Sequence, residues 1–309
     1  MSRFSLFSPF RSCHHGSRQT GFTLVELVIV IVVTGILAAV VAVFLNYPVR
    51  SYLQSSQRAQ LSEAADGAMR RMARDVRLAL PNSLRILDSA GNVGSCAAAT
   101  TCYIEFIMTS GGGRYRSAGD GSTAGNFLGF TTGAGSTFDV LGPMPANPAM
   151  AVGDYIVVYN LGPGYAPANA YDCSSSCNRA KISSISGNAV TLLSNPFASQ
   201  SPAMQSPGAR FQVIPATDLA VTFSCPTGTA GNITRYAAYG LLASQPAPPS
   251  GGSQGLLANG NATCSVDYAA TDGTGRNGLL SLTLTLSGTG GSSGESVSLF
   301  QQIHVNNAP

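Results

Sequence analysis

Histidine, the side chain most often used in acid–base catalysis and metal binding, is scarce in this chain. Among 309 residues there are three histidines: His14 and His15 lie close to the N-terminus and His304 lies close to the C-terminus. Imidazoles spaced in this way do not form a recognisable catalytic or multi-histidine metal motif. We therefore predict a protein that is not an enzyme, with no catalytic residues, no metal site and no cofactor.

Two glycine-rich segments match short catalytic motifs but lack the elements that those motifs require. Gly273–Gly278 fits G-x-G-x-x-G, yet it leads into a strand pattern, whereas a dinucleotide-binding turn opens a helix. Gly290–Gly294 fits G-x-S-x-G without a strand-to-helix turn, and His304 follows in a strand pattern. We predict that both segments are turns.

Asp267 and Asp272 leave a calcium site as an alternative, because carboxylates are calcium ligands, although no clear ligand loop accompanies them.

The composition excludes two classes of protein. Charged residues make up 10% of the chain, against roughly 25% in a typical soluble domain, and hydrophobic residues make up 44%, which excludes a charge-rich disordered protein. The formal charge of +3 comes from Arg3, Arg11 and Arg18, because basic and acidic residues are equal in number from Phe22 onward. The chain from Phe22 onward is therefore neutral and lacks the excess of basic residues that is typical of a nucleic-acid binder. We predict no nucleic-acid partner.

The span from Phe22 to Leu45 is long and apolar enough to cross a membrane. It carries a single charge, Glu26, and about 20 apolar residues suffice for a transmembrane helix. The arginines that precede it are typical of a signal anchor, whereas a cleaved secretory signal has a shorter apolar region. Neither interpretation explains Glu26, because a carboxylate inside a membrane helix is costly unless it has a partner. We therefore predict that Glu26 is a functional residue.

The start of this span carries the pattern GFTLVELVIVIVVTGILAAV, which begins at Gly21. It resembles the processing and assembly segment of type IV pilins and of the pseudopilins of type II secretion. The resemblance implies that a prepilin peptidase cleaves between Gly21 and Phe22, removes the leader of residues 1–21 and methylates the amine of Phe22. It also implies that Glu26 pairs with the N-terminal amine of a neighbouring subunit, so that two buried charges compensate each other in a filament.

The helical pattern resumes after Pro48, although a proline removes one hydrogen bond from a helix. Apolar side chains recur every three or four residues, which places them on one face, and Pro81 ends the pattern. We predict a helix over 22–80, with a transmembrane part over 22–45 and a stem over 46–80. The apolar face of the stem comprises Leu61, Ala65, Ala68, Met72, Val76 and Ala79.

Beyond the stem the sequence changes to short apolar, β-branched runs separated by Gly, Ser, Pro and Asn, which predicts strands and loops. Apolar and polar residues alternate most clearly in Leu280–Leu286 and Val297–Val305, which predicts a hairpin with one buried face. The stretches 111–125 and 243–255 are predicted to be surface loops. The predicted fold class is α+β: one long N-terminal helix, followed by a β-rich, loop-heavy globular head over 81–309.

Outside the leader the number of cysteines is even, which is typical of disulfides in an oxidising compartment such as the periplasm. A zinc site at Cys173 and Cys177 would need two further ligands, and no histidine is near. Six cysteines allow 15 connectivities, and proximity in sequence favours one of them. It pairs Cys96 with Cys102, Cys173 with Cys177, and Cys225 with Cys264.

Two further stretches narrow the resemblance. The end of the stem, Ala68–Leu87, and the segment Gln301–Asn307 resemble the MshO family of minor pilins of the mannose-sensitive haemagglutinin (MSHA) pilus. The J-type minor pseudopilins of type II secretion share the layout and are the alternative. The resemblance implies these partners: the prepilin peptidase, the major pilin, other minor pilins, and an inner-membrane assembly platform with its ATPase. It implies a single-pass protein of the bacterial inner membrane with a periplasmic head, which later joins the pilus at the cell surface.

The role within a filament has two interpretations. A subunit that initiates assembly at the tip is favoured by the size of the head, which is about twice the roughly 100 residues that the resemblance suggests for a major pilin. A tip adhesin is the alternative, and Tyr115, Tyr165 and Tyr171 are candidates for stacking on sugars. We favour the interpretation that these tyrosines are core or interface residues.

Overall fold

The structure is a computed structural model, and it describes residues 21–117, 125–174, 177–269, 277–288 and 294–309. Several predicted features lie outside the described residues. These are the leader up to residue 20, Asp272, and most of the two glycine-rich motifs.

One long helix, α1, spans Leu24–Arg77 and continues through Pro48. The chain forms two compact units, one up to Ser55 and one from Ser56 onward, and α1 contributes to both. A long apolar N-terminal helix followed by a β-rich globular head confirms the predicted α+β class. The functional boundaries after residues 21, 45 and 80 stay predictions.

Thirteen strands follow α1 in the described part of the chain, with a short 3-10 helix at Pro196–Ser199 between β7 and β8. The strands are β1 Arg85–Asp88, β2 Thr101–Ile107, β3 Gly111–Tyr115, β4 Thr137–Leu141, β5 Tyr155–Val157, β6 Arg179–Ser186, β7 Ala189–Leu192, β8 Arg210–Ile214, β9 Ala220–Pro226, β10 Gly231–Ala237, β11 Ser253–Ala269, β12 Asn277–Ser287 and β13 Ser296–Asn306.

Seven of these strands form an antiparallel sheet in the order β1-β2-β9-β10-β11-β12-β13, and the second half of α1 packs on one face of it. The apolar face predicted for the stem is confirmed, with Leu61 partly buried at its beginning and the other members buried. Burying a side chain such as Met72 or Val76 contributes about 1.5 to 3 kcal/mol, so this face holds the helix to the sheet. The buried apolar residues of the helix are Ala65, Ala68, Met69, Met72, Ala73 and Val76.

The C-terminal hairpin confirms the predicted alternation. Four of the five leucines of β12 (Leu280, Leu282, Leu284 and Leu286) are buried in the core between helix and sheet, and the polar residues between them face the other way. Leu280 pairs with Ile303 of β13, which is also buried, so the two strands place their apolar residues side by side. A shift of one residue would expose the whole set, and the alternation therefore fixes the register.

The chain between β2 and β9 forms a module of its own, a closed six-stranded barrel in the order β3-β4-β7-β6-β5-β8. β2 and β9 are neighbours in the sheet, where Ile107 pairs with Ala220, so the barrel is an insertion between two adjacent strands. The Met108 N–H donates to the Leu219 carbonyl oxygen at 2.9 Å where the chain leaves and re-enters the sheet. Side chains fill the barrel, as in other small barrels. Its aromatic core residues are Tyr115, Phe130, Phe138, Phe197 and Phe211.

The prediction of surface loops is wrong at two places. Gly111–Tyr115, at the start of the predicted loop 111–125, is strand β3, which pairs with β8. A Cβ added to Gly113 would lie 2.7 Å from the ring of Phe211 on that strand, so close packing requires the glycine that made the segment resemble a loop. β11 likewise begins at Ser253, before the other predicted loop ends.

Candidate functional site

The predicted cleavage junction lies just outside the helix. Gly21, Phe22 and Thr23 are non-helical and exposed, and α1 begins at the next residue. The side chain of Phe22 is 77% exposed. Exposed backbone outside regular structure is where proteases cut most readily, so the junction has the form of a protease substrate.

Thr23 caps the helix. Its Oγ1 accepts a hydrogen bond from the N–H of Glu26 at 3.3 Å, and its carbonyl oxygen accepts one from the N–H of Leu27 at 3.2 Å. The cap holds Glu26 in the first turn, where the helix dipole favours a carboxylate. Sequence reasoning missed Thr23, although a threonine followed three residues later by a glutamate is the signature of a capping box.

The first part of α1 exposes apolar side chains on all sides. An 18-residue window has a mean hydropathy of 3.2, so by length and composition the helix can cross a membrane. Two of its polar side chains bond within the helix: the Thr34 hydroxyl donates to the Val30 carbonyl oxygen at 2.6 Å, and the Asn46 amide donates to the Ala42 carbonyl oxygen at 2.7 Å. Such bonds lower the cost of placing polar groups in lipid.

Disulfides join the six cysteines of the head in the pairs that proximity in sequence predicts. Cys225 and Cys264 connect β9 to β11 and are 39 residues apart in sequence. Cys173 and Cys177, the pair considered for zinc, form a disulfide in the barrel module. The remaining bridge, Cys96–Cys102, ties the segment after β1 to β2. The bridges therefore constrain both the sheet and the barrel.

A buried carboxylate connects the stem to the sheet. Asp75 of α1 is 3% exposed, and it accepts hydrogen bonds from Nε of Arg71 at 3.1 Å and from Nε of Arg235 on β10 at 2.8 Å. Arg235 also donates to Asp218 at 2.8 Å. Burial disfavours the charged guanidinium, but the bonds to Asp218 and Asp75 outweigh it and raise the pKa of Arg235. Every charge in this group is paired, which makes its burial tolerable.

A cavity of about 630 Å³ lies where the end of α1, the sheet and the loops of the barrel meet. Asp154, in its wall, accepts hydrogen bonds from the backbone N–H groups of Ala151 and Ala216, both at 2.9 Å. The charged lining residues all have hydrogen-bond partners, so the described lining contains no free acid or base. We therefore interpret the cavity as a gap at the junction between the two modules. The charged lining residues are Arg71, Asp75, Asp154, Asp218 and Arg235.

A second buried carboxylate, Glu105 of β2, holds the arginine that connects the sheet to the barrel module. Arg85 donates to it at 2.6 Å and the hydroxyl of Tyr239 donates to it at 2.8 Å. The guanidinium of Arg85 also stacks 3.7 Å from the ring centroid of Tyr171, which belongs to the barrel module. Burial raises the pKa of Glu105, and the bond from Arg85 partly offsets this rise.

The candidate sugar-stacking tyrosines are not grouped. Tyr115 and Tyr171 are each 1% exposed, whereas Tyr165 is 61% exposed. The core interpretation is therefore right for Tyr115 and Tyr171, because a buried ring has no free face for a sugar.

The calcium alternative depended on Asp267 and Asp272. Asp267 is exposed on β11, and Asp272 lies outside the described residues. Within the described ranges, no three His, Cys, Asp or Glu side chains are grouped closely enough to hold a metal ion. The described structure therefore gives the alternative no support.

Comparison with known families matches residues 16–42 to the prokaryotic N-terminal methylation motif. The matched residues include the Gly21–Phe22 junction, Glu26 and the first part of the apolar helix. The motif supports a type IV pilin-like or pseudopilin role, and it implies processing by a prepilin peptidase, assembly into a pilus and anchoring in the membrane. Comparisons with curated proteins and with solved structures returned no match.

Proposed function

We propose that this chain is a minor pilin of an MSHA-type type IV pilus, of the MshO family, that acts without catalysis in filament assembly and initiation. The observation that carries the proposal is the N-terminal segment, in which an exposed Gly21–Phe22 junction precedes a capped apolar helix with Glu26 in its first turn. Its narrower assignment is based on the resemblance of Ala68–Leu87 and Gln301–Asn307. A J-type minor pseudopilin of type II secretion is the alternative.

Glu26 has a defined task in this proposal. Cleavage before Phe22 creates a cationic amine one turn from the glutamate. An isolated charge is costly in lipid, and an opposite charge beside it removes much of that cost. Glu26 of an incoming subunit therefore pairs with the terminal amine of its neighbour, and this pairing sets the axial register of the filament.

The proposed position at the tip follows from the size of the head. The inserted barrel adds a second packed module to the seven-stranded sheet. Protein interiors pack at nearly constant density, so a longer head is a bulkier one. Subunits along a shaft crowd around a narrow helical core, whereas a tip subunit is free on one side. We therefore place this chain at the tip beside other minor pilins, where its head also contributes to attachment.

The proposal includes a route to that position. The head enters the periplasm while the span 22–45 stays in the inner membrane, and the three disulfides suit that oxidising compartment. The prepilin peptidase removes the leader. An inner-membrane platform and its ATPase then add the chain to a filament with the major pilin.

Mass spectrometry of the N-terminus tests the proposal. With the prepilin peptidase present, we expect a mature chain that begins at N-methylated Phe22, and without the peptidase we expect the leader to remain. An intact Met1 as the sole N-terminus in peptidase-positive cells would contradict the proposal.

Two further tests address the role as a minor tip subunit and the choice between a pilus and a type II secretion system. Quantitative mass spectrometry of purified pili should find this chain at a small fraction of the major pilin, and labelled antibody should bind at filament ends. Equal amounts, or labelling along the shaft, would exclude the minor tip role. Deletion of the gene should abolish pili, whereas loss of protein secretion with pili intact would favour the J-type alternative.

A further inference from the structure

The two borders of the seven-stranded sheet differ in how their backbone is covered. At one border, β1 is four residues long. The segment that follows it folds back along its outer side: the N–H of Gly94 donates to the Ile86 carbonyl oxygen at 2.8 Å, and the N–H of Asp88 donates to the Asn92 carbonyl oxygen at 3.0 Å. Short edge strands covered by their own chain are a common protection against pairing with other chains.

At the other border, no described segment pairs along the outer side of β13. It pairs with β12 over all 11 residues without a register shift. The N–H of Gly288 donates to the Glu295 carbonyl oxygen at 2.8 Å, which identifies the hydrogen-bonded pairs of this ladder. Bonded and non-bonded pairs alternate in an antiparallel ladder, so the even-numbered residues direct their N–H and C=O groups outward. These residues are Ser296, Ser298, Phe300, Gln302, His304 and Asn306.

The side chains of β13 do not protect this border either. The strand contains no Lys, Arg, Asp, Glu or Pro, which are the residues that usually prevent edge pairing. Phe300 is 64% exposed on one face. On the other face Val297 and Leu299 are partly covered, and Leu299 packs against the core between helix and sheet. At Val297 and Leu299 the apolar core therefore reaches the border and is only partly covered by the described residues, whereas Ile303 and Val305 are buried.

We propose that β13 binds an extended segment of another subunit of the same filament, which adds an eighth strand to the seven-stranded sheet. This proposal rests on the proposed function for two premises: the partner is a filament subunit, and this chain is a low-abundance subunit at the tip. The chemistry of the partner follows from the border, because an unpaired row of backbone donors and acceptors is matched by an extended backbone. A second copy of this chain is not the occupant, since a low-abundance tip subunit has other subunits as neighbours.

The border also specifies the side chains of the partner. Side chains on an added strand alternate between the two faces of the sheet. On the face of α1 the partner should carry apolar residues, which extend the core beside Val297 and Leu299. On the other face it should carry uncharged polar or aromatic residues, which lie beside Ser298 and Phe300. A segment of low charge fits, because the described border has no formal charge to pair with it.

Photo-crosslinking of the full chain in cells tests the proposal. A benzophenone amino acid at position 298 or 302 lies on the border, and the same amino acid at position 265 is the matched control. Ser265 is exposed, pairs with Thr283 and lies in line with Phe300, but it is two strands inward. We expect adducts from 298 and 302 to an extended segment of another pilin-like subunit, and none from 265.

The other outcomes distinguish failure of strand addition from failure of the proposed function. Adducts to a second copy of this chain, or no border adduct in pili that contain the chain, would overturn strand addition while leaving the proposed function intact. Absence of the chain from pili would contradict the proposed function; a border adduct to a pilin-like subunit in the membrane would still support strand addition, and its absence there would reject it.

Charge substitution gives an independent test. Ser298→Lys combined with Gln302→Lys places two charges on the border, and we expect the recovery of this chain in sheared filaments to fall about tenfold, which corresponds to about 1.4 kcal/mol. Ser265→Lys should leave recovery unchanged. Immunoblots of membranes show whether the variants are present in normal amounts. Equal recovery of both variants would overturn the proposal. If the double variant is not stable, the photo-crosslinks from positions 298 and 302 test strand addition instead.

Discussion

Two side chains at the start of α1 determine where the helix begins and which charge its first turn carries. The hydroxyl of Thr23 satisfies the N–H of Glu26, which has no carbonyl partner inside the helix. Because this bond is local, it forms without help from the head. The same bond fixes the first turn, so that Glu26 lies one turn from Phe22, as the proposed pairing with a neighbouring amine requires.

Thr23→Val keeps the shape of the side chain and removes the cap. Loss of an N-cap costs about 0.5 to 2 kcal/mol, so we expect the first turn to fray and the amide of Glu26 to exchange faster with solvent. Hydrogen exchange of the full chain in micelles measures this. Thr23→Ser retains the hydroxyl and should exchange slowly; equally slow exchange in Thr23→Val would show that the cap is unimportant.

Glu26→Leu removes the charge that the proposed assembly step requires. The variant should insert into the membrane normally, because an apolar residue lowers the cost of insertion, but it should be lost from filaments. Glu63→Leu, at an exposed position of α1 beyond the apolar span, is the control and should be recovered like the unaltered chain. Immunoblots of membranes and sheared pili measure both steps, and undiminished recovery of Glu26→Leu would refute the pairing.

At the scale of elements, an apolar face and a buried ion pair hold the stem on the sheet. The apolar face supplies most of the free energy, since burial from water is the dominant favourable term in folding. The ion pair adds direction, because Asp75 accepts bonds from its own helix and from Arg235 on β10. Together they orient the end of α1 on the strands.

Arg235→Met should destabilise the head by about 3 kcal/mol, because the buried carboxylate of Asp75 then keeps only Arg71 as a cationic partner. Arg71 is 41% exposed, so Arg71→Met should cost less than about 1 kcal/mol. The chain has no tryptophan, so circular dichroism should follow denaturant unfolding of the full chain in micelles. Equal losses in the two variants would contradict the role assigned to Arg235.

Replacing Cys225 and Cys264 by serine should lower the free energy of unfolding by about 4 kcal/mol in the chain-entropy description, because the bridge closes a loop with a sequence separation of 39. The same change at Cys173 and Cys177, with a separation of 4, should cost about 2 kcal/mol. Denaturant unfolding compares the two double variants. A larger loss at Cys173 and Cys177 would argue against loop closure as the source of stability.

At the scale of the whole molecule, the head consists of a sheet and a barrel inserted between two of its neighbouring strands. The barrel has its own core, and the chain enters and leaves it at one point. Tyr171 and Ile214 of the barrel module pack against Ile107 at the margin of the sheet, so the two modules share a smaller third cluster. The large size of the head therefore comes from an inserted unit.

The insertion predicts that the barrel can be removed. Replacing residues 110–216 by a short Asn-Gly turn should convert β2 and β9 into a hairpin, because Ile107 and Ala220 already pair. We expect a folded head with the Cys225–Cys264 bridge intact and lower stability, since Ile107 loses its cover. Circular dichroism and disulfide mapping measure this. Residues 109–217, expressed alone in the periplasm, should fold as the complementary control, and aggregation of both pieces would show that they are one unit.

The sequence by itself determined the features that depend on near neighbours in the chain. The apolar span, the apolar face of the stem and the alternating leucines of β12 are local patterns, and each pattern predicts the helix or strand in which it lies. The disulfide pairs follow from proximity, and the Thr-x-x-Glu spacing would have predicted the cap. The fold class and the N-terminal segment were therefore predictable.

Only the tertiary structure decided which distant segments are neighbours. β2 pairs with β9 although the whole barrel lies between them, and Gly113 needs its small size because Phe211 lies against it. Asp75 meets Arg235, which is 160 residues away in sequence, and β13 is a border because no strand in the described structure lies beyond it. Two distant segments pair when the summed free energy of their contacts outweighs the entropic cost of closing the loop between them. A local sequence pattern does not contain the information needed to predict this balance.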